Sequence, residues 1–417
     1  MFIKWITLGI FVACFGLILW RKVKISYVAI ASAILLVAIG ALSPKAALLE
    51  AIDWNVLAIY WGFLMVSMVF AESGVPAYLA NVLARRSRTE GTALLALCVL
   101  AAFLSAFMHN VGVTLILAPI GFAMAKSAGS SPTTYLISIA CSSNIVTTVT
   151  MIADPPALIL AERTGMKFFD FYWFQGKVGL GLISIVAVIA GLAMLYFTTL
   201  RRMRKPVNVE KEEPAMAVLP GTLFVGGIVA LGIAPYIGVS IGLVGLAVGA
   251  IALWLGRRRA GKLVTEFDWD SLIFVVGIFV VVGAVNAVGL LQDMASQILR
   301  LGVNSPALAL AFLVWLSVAL SSFVDNVPFT MLMIPVCAYM ANAVGMSTAF
   351  PLLFGMLVGT GLGGNLTPVG ATANVFACGA LEKQGHKVRL WEFMKIGALM
   401  SLTAVAVAHV LLQVLWI

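Results

Sequence analysis

Two carboxylates and one imidazole sit where a membrane protein rarely places them. Asp154 lies in "MIADPPALIL" (151–160), Asp325 in "SSFVDNVPFTMLMIPV" (321–336) and His109 in "SAFMHNVGVTLILAPI" (105–120), all in segments otherwise fit for lipid. A charge at the bilayer centre costs about 2.5–3.5 kcal/mol on insertion scales, so an acid retained there marks a pathway for protons or cations. Asp154, Asp325 and His109 are therefore the candidate proton-coupling groups. Asp154 also has a structural reading, as N-cap of a helix restarting at Pro155, worth about 1 kcal/mol. Around these three stand neutral groups able to bind a small solute or to satisfy freed backbone: Asn110, Asn144, Thr147, Thr148, Thr150, Asn326, Gly364, Asn365, Thr367, Thr372 and Asn374. The core segments read as free of Lys and Arg. A polyanion would then meet only helix N-termini and neutral groups, which favours a small neutral or singly charged solute.

Other chemistry finds no support. No HExxH or paired-histidine pattern occurs, and "GLGG" (361–364) has neither the lysine nor the strand of a phosphate loop. His386, in a loop, and His409, in an unbroken span, read as structural. The five cysteines stand singly in apolar runs and read as small packing residues. No enzyme activity, no metal site and no cofactor beyond a coupling ion, H+ or Na+, is expected.

The elements that must position these groups follow from composition. Of 417 residues 62% are hydrophobic and 10% charged, with mean hydropathy +1.09, against about 25% charged in soluble domains. Apolar runs of some twenty residues recur from end to end, so the chain reads as an all-α polytopic membrane protein. The net charge of +9 gathers in loops, at Arg21-Lys22-Lys24, Arg85-Arg86-Arg88, Arg201-Arg202-Arg204-Lys205, Arg257-Arg258-Arg259-Lys262 and Lys383-Lys387-Arg389. An external N-terminus puts 20 of the 26 basic residues on the cytoplasmic side, the bias that sets orientation. The excess charge is topological and calls for no nucleic acid; the partner is the lipid bilayer. Residues 3–20 count as a span rather than a signal peptide, because no small-residue cleavage pattern follows them.

The chain also repeats itself. "IDWNVLAIYWGFLMVSMVFAESGV" (52–75) pairs with "FDWDSLIFVVGIFVVVGAVNAVGL" (267–290), 105–120 with 321–336, and "TMIADPPALI" (150–159) with "TPVGATANVF" (367–376). The offset stays between 215 and 217 across all three blocks. The first repeat, 1–200, reads as three spans near 3–20, 25–42 and 54–73, a surface helix (75–88), a re-entrant hairpin (91–126), a broken helix (133–164) and a last span (177–200). A cytoplasmic linker, 201–216, leads to the second repeat, 217–417, with its hairpin at 306–343, its broken helix at 348–382 and its last span at 393–415. A hairpin adds no net crossing, which leaves five crossings per repeat. The second repeat is therefore inverted, giving about ten transmembrane helices, two re-entrant hairpins and two broken helices, the plan of many secondary transporters.

Residues 105–120, 144–158, 321–336 and 361–395, with the Asp-Trp repeats, resemble the ion transporter superfamily. Its nearest members are the arsenite/antimonite permeases, the sodium/proton antiporters with a DPP motif, and the citrate-type permeases. The family's usual Asn-Ile-Gly-Gly before DPP reads Asn144-Ile145-Val146-Thr147 here. Ala153 and Ala157 replace the flanking Gly and Asn, and the strict Ser-Asn-Thr tips of dicarboxylate symporters are missing. The resemblance implies alternating access in a prokaryotic cytoplasmic (inner) membrane. It leaves open a homodimer and, for an arsenite permease, a soluble ATPase partner. Proton-coupled efflux of a small inorganic solute such as arsenite or antimonite ranks first. Sodium/proton antiport is the alternative, di- or tricarboxylate or other anion symport stands lower, and a channel last.

Overall fold

The computed structural model describes residues 2–20, 22–207, 216–257, 260–323 and 325–417. Residues 208–215 of the expected linker, and Arg21, Arg258 and Arg259 of the basic clusters, lie outside the described residues. The first helices are α1 (Phe2–Trp20), α2 (Ile25–Ala38), α3 (Pro44–Ala46), α4 (Trp54–Ala71), α5 (Val75–Arg86), α6 (Glu90–Ser105), α7 (Asn110–Ala128), α8 (Pro132–Asn144), α9 (Pro155–Thr164) and α10 (Leu180–Thr198). After the linker the order recurs as α11 (Val218–Ile233), α12 (Ile241–Leu255), α13 (Ala260–Glu266), α14 (Trp269–Ala287), α15 (Leu290–Arg300), α16 (Pro306–Ser321), α17 (Asn326–Ala343), α18 (Phe350–Gly363), α19 (Thr372–Lys383) and α20 (Leu390–Trp416). A two-residue hairpin, Trp173–Phe174 with Lys177–Val178, joins α9 to α10.

The chain is an all-α polytopic membrane protein. Among the described residues seven helices are long and apolar enough to cross a bilayer, and two more elements, α8–α9 and α18–α19, are composite helices broken in the middle. One of the seven is α7, which the sequence reading made a hairpin leg. By contrast α2 and α12, expected as spans, hold 14 and 15 residues, about 21–23 Å at 1.5 Å per residue.

Repeated residues do the same local work twice. Asp53 accepts from the Val56 amide at 3.2 Å and Asp268 from the Ser271 amide at 3.0 Å, each capping the long helix that follows. The neighbouring indoles, Trp54 and Trp269, donate to the carbonyls of Leu48 and Val264 at 2.9 and 2.8 Å, tying each helix start to the turn before it. Gly74 and Gly289 sit at φ 75° and 77°, the left-handed turn that starts α5 and α15.

Packing then exchanges partners between the two halves. Helix α2 lies on α14 while α12 lies on α4, and α10 lies on α20. A Cβ at Gly62 of α4 would strike the backbone of Gly245 in α12, and one at Gly277 of α14 would strike Ala29 in α2. The matched glycines are therefore the places where backbones touch. Close contact of this kind drives helix association where lipid removes the hydrophobic gain.

Candidate functional site

Four helices begin at one place: α7 at Asn110, α9 at Pro155, α17 at Asn326 and α19 at Thr372. All four starting residues line a single cavity of about 260 Å3. The two restarts share one geometry, with Asp154 at φ −153°, ψ 147° and Ala371 at φ −143°, ψ 146° preceding their helices. Each helix N-terminus carries roughly half a positive charge on unpaired amides, so the cavity is electropositive in its backbone.

Side chains hold the breaks open at membrane depth, where unsatisfied backbone is costly. Thr150 in the first break donates to the Ala106 carbonyl at the first tip, and Thr367 in the second donates to the Ser322 carbonyl at 2.5 Å. A chain of amides crosses between the halves. Asn110 Nδ2 donates to Asn144 Oδ1, Asn144 Nδ2 to Asn365 Oδ1, and Asn374 Nδ2 to the same Asn365 oxygen, each at 3.0 Å. Asn365 Nδ2 donates in turn to the Cys141 carbonyl at 3.0 Å. Asn110, Asn144, Asn365 and Asn374 are all buried, so this network fixes how the two breaks face each other.

The acids behave differently from one another. Asp325 caps its own helix, accepting from the Val327 amide at 3.0 Å. Asp154 makes no side-chain cap of its own helix despite standing at the N-cap position, and it lines the cavity together with Asn326 from the other half. Asn326 is oriented by the Ser321 hydroxyl, which donates to its Oδ1 at 2.6 Å. His109 lines the same cavity without capping α7.

Of the residues singled out in sequence, His109, Asn110, Asn144, Asp154, Asp325, Asn326 and Thr372 line the cavity. Asn365 and Asn374 stand behind its wall in the amide chain, and Thr150 and Thr367 pin the breaks. Thr148 shares a 2.8 Å hydrogen bond with Ser184, and Thr147 packs against Gly361. Gly364 lets Asn144 and the Gly370 carbonyl approach, since a Cβ there would stand 3.1 Å from both. Sequence reasoning missed Tyr60, Asp268, Asp270 and Ser271, which complete the wall. Ser26 on α2 donates to Asp270, and the Ser271 hydroxyl donates to Asp268 at 2.5 Å. The cavity is thus rimmed by four carboxylates and, among the described residues, by no Lys or Arg.

A second cavity, of about 320 Å3, lies further along α9, α14 and α17. Pro155 lines the first and Ile159 the second on α9; Val275 and Phe279 do so on α14, and Val327 and Met331 on α17. Each pair is four residues apart, so one helical turn, about 6 Å thick, separates the two cavities. Ile159, Phe279 and Met331, all buried, form that barrier. Arg163 also lines the second cavity. The core is therefore not free of basic residues as expected: the broken helix read as 133–164 itself carries Arg163, in the last turn of α9.

The profile of the citrate transporter family matches residues 15–359. An uncharacterized transporter of Mycobacterium tuberculosis is 28% identical over 421 residues, covering 98% of this chain and 97% of its own length. The P protein of Mus musculus is 24% identical across 94% of this chain and 57% of its own. Two solved structures share the fold: the YdaH transporter of Alcanivorax borkumensis (TM-score 0.59, 13% identity, 99% of this chain and 98% of that one) and MtrF of Neisseria gonorrhoeae (0.53, 12%, 92% and 84%). The family match overturns the first-ranked expectation of arsenite or antimonite efflux. The physical error lay in weighing an absence of basic side chains against an anion while four helix N-termini converge on the cavity.

Proposed function

The chain belongs to the citrate transporter family, and from that premise we propose that it carries an organic anion of the polycarboxylate class by secondary active transport. The observation that supports this reading is the convergence of α7, α9, α17 and α19 by their N-termini on one polar cavity inside an apolar protein. Helix N-termini are ready anion sites, because their amides point outward and their dipoles favour negative charge. Two of the four, α7 and α19, are preceded by His109 and Ala371 and stand open to substrate carboxylates, with Asn110, Asn144 and Thr372 beside them. The other two are preceded by Asp154 and Asp325.

Charge then dictates coupling. A polycarboxylate placed among Asp154, Asp325, Asp268 and Asp270 is repelled unless cations enter with it, since like charges in a poorly hydrated site cost several kcal/mol. A proton or sodium ion at Asp154 supplies that neutralisation and ties substrate movement to an ion gradient. The cavities on either side of a one-turn barrier are what alternating access requires, and inverted repeats would let the second half mirror the motion of the first. The basic clusters favour a cytoplasmic membrane with the first cavity, bordered by Ile25 and Asp268, opening inward.

Proteoliposomes test this directly. With purified protein, labelled citrate or succinate accumulates when an inward proton or sodium gradient is imposed, and collapses when the gradient is discharged. Accumulation that ignores both gradients would sink the coupled reading, and failure of every di- and tricarboxylate tried would sink the substrate class.

A further inference from the structure

The second cavity has no part in the site just described, yet it holds the cationic side chain that the first cavity lacks. Arg163 in the last turn of α9 is exposed to it. Its Nη2 donates to the Ala51 carbonyl at 2.9 Å, and its guanidinium carbon stands 5.6 Å from the centre of the Phe279 ring. Among the described residues it makes no ion pair: Glu50 of the same lining, and Asp53 of the pocket beside it, do not come within salt-bridge range. An arginine keeps five donors in a planar fork matched to a carboxylate, and only one is spent here on a carbonyl. Nothing in the second half mirrors it, since the matching position at the offset of 217 is Ala380.

Resting on the organic-anion reading above, we propose that this cavity is a second anion station, where Arg163 captures a carboxylate from the side opposite the Asp154 cavity. Phe279 gives the capture a consequence. Its ring is one of the three side chains of the one-turn barrier, and the guanidinium lies on its face. A carboxylate that takes the fork of Arg163 competes with both the ring and the Ala51 carbonyl, so anion arrival frees the barrier residue it must pass. Asn286, exposed at the end of α14, lines the same cavity and gives a reporter position beside Arg163.

Site-directed alkylation separates the two cavities. Asn286→Cys reports on the second and Ser271→Cys on the first, each modified by a maleimide in detergent-solubilised full-length protein, with the cysteine-free parent variant as control. Citrate and succinate are expected to slow alkylation of Asn286→Cys at least roughly fivefold relative to chloride of equal ionic strength. Adding Arg163→Gln should abolish that protection, Arg163→Lys should keep part of it, and Ser271→Cys should be unaffected by either. Protection at Ser271→Cys with none at Asn286→Cys overturns the second station while leaving the transport reading intact. Protection at Asn286→Cys that survives Arg163→Gln removes Arg163 from it. Protection by phosphate alone overturns the carboxylate assignment, and protection at Asn286→Cys without any at Ser271→Cys supports the station while undermining the central anion site.

Discussion

The two halves put their acids in different places. At the tips, the first half has His109 where the second has Asp325; at the breaks, the first has Asp154 where the second has Ala371. Everything around those positions is duplicated: the tip amides Asn110 and Asn326, the threonines that pin each break, the glycines where helices cross, and the extended backbone before each restart. At the tips and breaks each half therefore places one acid, on opposite elements, and Asp268 and Asp270 of the second half add two more to the cavity. The acid at the tip caps its own helix, and the acid at the break does not. A scaffold repeated twice keeps the geometry, and a few unmatched residues give the two sides different chemistry.

Breaking the shared scaffold should cost most. Gly62→Leu drives a side chain into the Gly245 backbone and is expected to destabilise the protein by at least about 3 kcal/mol. Size-exclusion profiles after extraction would show aggregate in place of a single peak. Gly277→Leu, its counterpart against Ala29, should fail in the same way; a difference between the two would mean that the α4–α12 and α2–α14 contacts are not equivalent.

The amide chain comes next. Asn365 joins Asn144, Asn374 and the Cys141 carbonyl, and Asn365→Ala strands several buried polar groups at once. A loss of about 2–3 kcal/mol, read as a fall of roughly 5–10 °C in apparent Tm, is expected. Thr150→Val and Thr367→Val should each cost only about 1 kcal/mol, and by similar amounts, because each removes one donor to a tip carbonyl. Unequal losses would show that one break carries more strain than the other. The smallest effect belongs to capping. Asp325→Ala should lower stability by about 0.5–1 kcal/mol through the lost cap, whereas Asp154→Ala should not, since Asp154 caps nothing.

Much of this scaffold was legible in the sequence because it is written twice at a constant offset, and because Asp-Trp, glycine and proline positions report backbone demands directly. The interruption at Asn144–Pro155 was visible as polar residues and prolines in an apolar run. What escaped was tertiary. Asp268 was visible as half of a repeated motif, but its place in the cavity wall depends on how α14 lies on α2. Arg163 lay inside the broken helix read as 133–164, but nothing local shows that the last turn of α9 faces a second cavity. The threonines of the breaks looked like ligands; hydroxyls beside freed backbone are drawn first to that backbone, as Thr150 and Thr367 are. The convergence of four helix N-termini was implicit in the hairpins and breaks, yet its charge was not counted until the four starts lay around one cavity.

The central claim is that Asp154 couples anion movement to a cation, and Asp154→Asn in proteoliposomes tests it most directly. The variant should lose gradient-driven accumulation of citrate while still exchanging external labelled citrate for unlabelled citrate inside, because exchange needs the cavity and the moving barrier but no net cation flow. Accumulation that survives the substitution would contradict the account, and would return Asp154 to the role of a polar residue lining the cavity.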